Sequence, residues 1–432
     1  MLFRWSERVF AIVLLLAMMG VIDVLTRPQS DGHDLSTISS DVPQATGIAI
    51  TGVYFWGAMI VVARWRRVLR VARTAWPLLA FAALAPISAA WSIDPALTLR
   101  KSVLVMASTM LAIYLGERYR LQQLAHLLAG AMSLMMLMVL ALRFTAPSHV
   151  IDEEGAWRGL SPHKNAFGAN MGIAVVVLLL MRFNRFNLLR YFLAATAAVL
   201  LVLSHSMTAL AGSVLVLAAV PLWQSMRSNS ERQVLACAIA GIVLFLVIFL
   251  VNRNPDLFFQ LVGRDPSFTG RTKLWSLVLP AIAKHPLLGY GYGAFWWTGL
   301  SGEALSIWIR SRWLPTAADN GYLDLLLDFG VLALPLLSYL LFQAVRMAVR
   351  HIRTERQAFA LWPAAYFSFF LLDNIFESQL LPTRSLEFLL FAAITTSLAV
   401  HRCSDPVLSG HFWTGHSPAG PGPVQRASNA NA

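Results

Sequence analysis

Charge is scarce in this chain. Asp, Glu, Lys and Arg make up only 13% of its 432 residues, against 57% hydrophobic ones. A soluble protein of this size needs more charge to solvate its surface. Cysteine is nearly absent. Cys237 lies inside an apolar stretch and Cys403 near the C-terminus, so no disulfide framework or thiolate metal pair is expected. There is no internal repeat, and no soluble basic domain to turn the net charge of +12 into a nucleic-acid surface.

What fills the chain instead is a succession of apolar runs. They fall near 9–25, 48–63, 76–91, 102–116, 124–142, 166–181, 191–204, 207–223, 234–251, 321–345, 358–372 and 386–400. Each is near the ~20 residues an α-helix needs to cross ~30 Å of hydrocarbon. In lipid the backbone must satisfy its own polar groups, so these runs are expected to be helices. The expected fold is an all-α, polytopic transmembrane bundle of about twelve spans. The N-terminus resembles a signal peptide, with Arg4 and Arg8 before an apolar run. It has no clear small-residue cleavage site and leads into further spans, so a retained first helix is expected.

Loop charges orient the bundle. Loops after even-numbered runs carry Arg64, Arg66, Arg67, Arg70 and Arg73, then Arg118 and Arg120, then Arg182, Arg185 and Arg190. Arg227 and Arg232 follow, and then Arg346, Arg350, Arg353 and Arg356. Odd-numbered loops hold Asp31, Asp34, Asp41, Asp94, Asp152, Glu153 and Glu154. Positive loops stay inside, which puts both termini in the cytoplasm. One long basic loop between runs nine and ten breaks the alternation, and loops beyond ~60 residues escape the rule. The expected division is 1–251 for spans one to nine, 252–319 for a large external loop with short surface helices, 320–401 for the last three spans, and 402–432 for a disordered tail.

Three constellations collect on the external side. The first is Trp157-Arg158-Gly159-Leu160-Ser161-Pro162-His163-Lys164-Asn165, with Asn165 expected to cap the sixth span. Its cations surround a helix N-terminus, a natural anion site, and snorkelling cations with a routine cap are the plainer reading. The second joins Gly270-Arg271-Thr272-Lys273-Leu274-Trp275, opening a short amphipathic surface helix, to the glycine-rich Pro286–Gly293 stretch, expected to be a flexible turn. Tyr290, Tyr292 and Trp296 there suit sugar faces or an interfacial aromatic belt equally well. Neither a dinucleotide fingerprint nor a potassium filter fits the context. The third is Asp319-Asn320-Gly321, where Asp319 is either an N-cap or a carboxylate at the rim of a cavity. Asp324 and Asp328 should face the bundle interior or a wet cavity, whereas Asp373 and Glu377 should be solvent-exposed.

These segments resemble the O-antigen ligase and polysaccharide polymerase superfamily of bacterial inner-membrane glycosyltransferases. Ala90–Pro95, Gly159–Asn165, Ser204–Leu210, Gly270–Trp275 with Pro286–Gly293, and Asn320–Gly330 follow in family order. The His163-Lys164-Asn165 triplet looks most like the exopolysaccharide polymerase branch, to which the xanthan-pathway polymerase belongs. The resemblance implies a donor glycan on undecaprenyl diphosphate, a periplasmic acceptor, and metal-independent, cofactor-free transfer with inversion. Arg158 and Arg271 would stabilise the leaving diphosphate, and Asp319 or His163 would act as base. Lys164, Asn165, Lys273, Tyr290, Tyr292, Trp296 and Asn320 would bind substrate. Membrane lipids, a chain-length regulator and a flippase are the implied partners, with no nucleic acid among them. Ligases carry a His where Asp319 stands, which sets this chain apart from them. The same-class alternative is transfer of finished polymer to lipid A or protein. A lipid-linked glycan flippase is the alternative of another class, and it would need polar groups through the bilayer midplane.

Overall fold

The computed structural model describes residues 2–26, 44–181, 187–227, 270–297, 302–311, 314–355 and 357–401. The expected ninth span, the C-terminal tail, both cysteines, and Arg253 and Arg264 of the long loop lie outside the described residues. Helices run α1 (Leu2–Met18), α2 (Val21–Thr26), α3 (Gln44–Ala63), α4 (Trp65–Thr74), α5 (Trp76–Ile87), α6 (Pro95–Arg118), α7 (Leu121–Thr145), α8 (Lys164–Leu180), α9 (Asn187–Leu203) and α10 (Met207–Ser225). After the gap come α11 (Arg271–Lys284), α12 (Glu303–Ser311), α13 (Gly321–Phe329), α14 (Ala333–Thr354), α15 (Trp362–Asp373) and α16 (Leu386–Val400). The sole pairing of extended backbone among the described residues is one antiparallel bridge, Ile151 with Trp157.

This is a helical membrane protein. Five helices among the described residues are long and apolar enough to cross a bilayer, six if the bent α4–α5 pair counts as one span. α8, α9, α15 and α16 are apolar but shorter. α8 and α16 are buried around nearly their whole circumference, as helices apolar on every side must be. By contrast α3 turns Ile48, Phe55, Met59 and Val62 outward, an apolar periphery that suits hydrocarbon. The basic stretch after α3, read from sequence as a loop, is the helix α4, bent 94° from the helix that follows. Val68, Val71 and Ala72 face the protein while Arg66, Arg67, Arg70 and Arg73 stay exposed.

Small residues let the central helices approach closely. A β-carbon at Gly116 of α6 would lie 2.5 Å from the Ala393 carbonyl of α16, and one at Gly172 of α8 would lie 2.3 Å from Ser213 Oγ of α10. Charged ends are also joined. Glu7, fully buried, accepts from Arg118 Nε at 2.9 Å and Arg64 Nη2 at 3.1 Å. At the other end of α1's segment, Arg384 grips Asp23 through both terminal nitrogens at 3.1 and 2.9 Å. Arg353 and Arg227 link the C-terminal ends of α10 and α14, donating to Met226 O at 3.3 Å and Gln357 O at 2.6 Å.

The glycine-rich 286–293 segment is a packed strap rather than a flexible turn. Tyr290 and Gly291 N–H groups donate to Leu327 O at 2.7 Å and Asp328 O at 3.0 Å, satisfying carbonyls at the end of α13. The Gly293 N–H reaches Asp328 Oδ1 at 2.8 Å, and Ile93 N–H donates to Tyr290 O at 3.0 Å. A side chain at Gly289 would meet Leu327 O at 2.4 Å, so the close approach requires glycine.

Candidate active site

The site is built where the start of α13 meets the turn after α15. Asn320 has extended backbone, and its Oδ1 accepts from the N–H groups of Tyr322 and Leu323, both at 3.0 Å. Asn320 is therefore the cap of α13, the role offered to Asp319 in the plainer sequence reading. Asn320 Nδ2 donates to Ile375 O at 3.0 Å, and its backbone N–H to Ser378 Oγ at 3.2 Å. The Gly321 N–H is shared between Asn374 O at 2.9 Å and Glu377 O at 3.0 Å. A β-carbon at 321 would sit 2.2 Å from Asn374 Oδ1, so only glycine closes this junction. Asp324 completes it, accepting from the Ala318 N–H, from Trp296 Nε1 at 2.9 Å and from the Ser378 hydroxyl. Asp319, squeezed between Ala318 and the cap, takes φ +48, a region few residues but Gly, Asn and Asp enter readily.

Arg271, the first residue of α11, points into this junction and is 7% exposed. Its Nη2 donates to Glu377 Oε1 at 2.8 Å, and its Nε lies 3.8 Å from Asp319 Oδ2. The Asn165 side chain of α8 faces Glu377 closely enough to favour its charged form. Burial lifts the Glu377 carboxyl to about 7, outweighing the pull of Arg271 in the other direction. Asp319 is raised by burial and partly restored by Arg271. Desolvation and the Arg271 charge both lower the His163 pKa, although the residue keeps an exposed edge. One guanidinium, two carboxylates, an amide and an imidazole thus gather from four separate parts of the chain.

Several residues take up other places than expected. His163, rather than Asn165, caps α8, its Nδ1 accepting from the Ala166 N–H at 3.3 Å. That frees the Asn165 side chain for Glu377. Lys164 pairs with Glu154, and Arg158 Nη2 donates to Ser148 O at 3.0 Å. Neither makes an ion pair within the Arg271 cluster. Lys273 is exposed on α11. The aromatics expected at a sugar surface are interior: Tyr290, Tyr292 and Trp296 are 4%, 4% and 6% exposed. Their polar ends are bonded inward, Tyr290 to Ala281 O at 2.8 Å, Tyr292 to Leu381 O at 2.7 Å and Trp296 to Asp324. They are scaffold, and their faces are covered.

Glu377 is the functional candidate that sequence reasoning passed over. Its place just beyond the apolar run suggested solvent, as for Asp373, yet both are 6% exposed. A buried cation at Arg271 demands a counter-charge, but nothing in the local sequence says that it comes from 106 residues away.

A polytopic helical membrane protein with an Arg–carboxylate centre at the junction of its loops is the class these features define. The Wzy_C family, O-antigen ligase, matches residues 192–338, a stretch that holds Arg271, Asp319 and Asn320. The chain is also 27% identical, over 326 residues, to the exopolysaccharide production protein ExoQ of Rhizobium meliloti strain 1021, covering 71% of this chain and 73% of that protein. The chain is thus similar to the O-antigen ligase family over that stretch and to an exopolysaccharide production protein over most of its length.

Proposed function

We propose that this protein is an exopolysaccharide polymerase of the bacterial inner membrane. It transfers a growing undecaprenyl-diphosphate-linked glycan onto a lipid-linked repeat unit at the periplasmic face. The acceptor hydroxyl oxygen attacks the anomeric carbon, the bond to the diphosphate breaks with its electron pair leaving on the phosphate, and configuration inverts. The observation that carries this reading is the buried Arg271 guanidinium, held in place by Glu377. A preorganised, water-poor guanidinium stabilises charge developing on a leaving diphosphate without reorganising, and does so without a metal. Asp319, one-third exposed at the mouth of the cluster, orients the incoming hydroxyl. Arg158, Lys164 and Lys273, outside the Arg271 cluster, are assigned to the glycan or to the headgroups around it.

Elongation in vesicles carrying the purified protein and synthetic lipid-linked repeats tests the proposal. A product ladder insensitive to a chelator is expected, and chelator-abolished elongation restored by metal overturns the mechanism. The family description favours a second reading, transfer of finished polymer to lipid A or protein. Cells lacking the chain separate the two: loss of a polymerase accumulates single repeats, and loss of a ligase accumulates long lipid-linked polymer.

A further inference from the structure

We propose that Glu377 is the base of the transfer, and that the donor diphosphate frees it by taking over Arg271. The inference rests on the polymerase reading above, and its starting point is the way the two carboxylates divide the guanidinium. Asp319 faces Nε at 3.8 Å, outside hydrogen-bond distance, whereas Glu377 holds Nη2 at 2.8 Å. A phosphate that takes both terminal nitrogens of Arg271 competes with Glu377 for Nη2, while Asp319 can stay.

The displaced carboxylate has little freedom to leave. Its backbone carbonyl accepts from the Gly321 N–H at 3.0 Å, and its own N–H donates to Asp373 O at 2.9 Å. It therefore stays beside the reacting diphosphate with one partner lost. Loss of a cation next to a buried carboxylate raises its proton affinity. The group that yields Arg271 thereby becomes the stronger proton acceptor at the moment the donor is seated. The acceptor hydroxyl gives its proton to Glu377 as its oxygen bonds the anomeric carbon, and the diphosphate departs with the electron pair, neutralised by Arg271.

The other candidates suit this task less well. His163 Nδ1 is occupied by the Ala166 N–H, and in the neutral ring its second nitrogen carries the proton. Asp319 is one-third exposed, so water shares its charge.

The test compares wild type with Glu377→Gln in nanodiscs, reading undecaprenyl diphosphate binding and elongation of a synthetic lipid-linked repeat separately. Removing the rival carboxylate charge should leave undecaprenyl diphosphate bound at least as tightly as in wild type. Turnover should fall at least ~100-fold, the range of a lost general base. In wild type, kcat/KM should rise with pH through about 7, the value of the free site. The kcat inflection should lie at higher pH, because Arg271 is then engaged with phosphate. Elongation by Glu377→Gln within a few-fold of wild type overturns the proposal, as does a loss of binding that parallels the loss of turnover. If the Gln variant does not accumulate, coincident kcat and kcat/KM inflections in wild type overturn it as well. Wild type that neither binds undecaprenyl diphosphate nor elongates the repeat would instead refute the polymerase reading.

Discussion

Arg271 and Glu377 form a 2.8 Å ion pair between residues that are each less than 10% exposed. The pair joins the first turn of α11 to the turn after α15, and Asp319 stands on its open flank. A buried pair of this kind stabilises little by itself, but removing one partner leaves a charge without compensation. The polymerase proposal gives this pair, at the meeting point of three loops, a task in the transfer.

Arg271→Lys tests that work. Lysine keeps the charge as a compact ammonium and cannot span Nη2 and Nε contacts with one planar group. Polymer should fall at least tenfold in cells that accumulate the variant normally. Arg271→Ala should in addition lower the melting temperature in detergent, since an orphaned buried carboxylate costs about 3–5 kcal/mol. Full polymer from the Lys variant would mean that Arg271 only anchors α11.

Asp319→Asn separates orientation from base chemistry. Asn tolerates the positive φ at this position, and the α13 cap is supplied by Asn320, so the fold should be unaffected. Elongation should drop about tenfold, well short of the loss expected for Glu377→Gln. An equal or larger loss would move the base to Asp319.

Stability should carry the Glu377 signature too. Its folded pKa, raised to about 7, lies above the ordinary 4.5, so the folded state holds the proton more tightly than the unfolded chain. The linked stability is full below pH 4.5 and disappears as pH rises through about 7. The melting temperature of Glu377→Gln relative to wild type should accordingly increase by a few degrees between pH 5 and pH 8. A constant difference across that window would contradict the titration.

Tyr290→Phe and Tyr292→Phe distinguish scaffold from sugar platform. Each removes one buried hydroxyl whose hydrogen bond is worth about 1 kcal/mol, and leaves the ring. Each variant should melt lower while its KM for the glycan stays at the wild-type value. A KM change without a stability change would return the rings to the substrate.

Gly289→Ala and Gly270→Ala should differ although both positions have positive φ, +65 and +84. At 270 the space beyond is open, so only backbone strain of about 1 kcal/mol is added. At 289 the new carbon also strikes Leu327 O, and the strap must lift from α13. Thermal denaturation should rank Gly289→Ala as the more damaging change.

The sequence made the helical, membrane-spanning character plain because apolar runs are a local signal. α11 is legible from its apolar spacing, with Arg271 at its start. What stayed hidden was pairing. Asn165 and His163 stand two positions apart at one helix start, and either residue type can cap; that His163 takes the role is settled by the fold around it and not by local sequence. The tyrosines misled for a similar reason. Tyr290 and Tyr292 read as an exposed belt because the carbonyls that take their hydroxyls, at Ala281 and Leu381, lie in other elements.

Glu7 has a consequence for how the molecule is made. The ribosome delivers α1 first, yet the carboxylate at Glu7 finds Arg64 only after α3 has emerged and Arg118 only after α6. Asp23 waits far longer, because Arg384 is separated from it by 361 residues. α1 and α2, made well before these arginines, are thus among the last segments to be locked. During synthesis α1 is a loosely held guest, and the insertion machinery or lipid headgroups must shelter two acidic side chains until their arginines arrive.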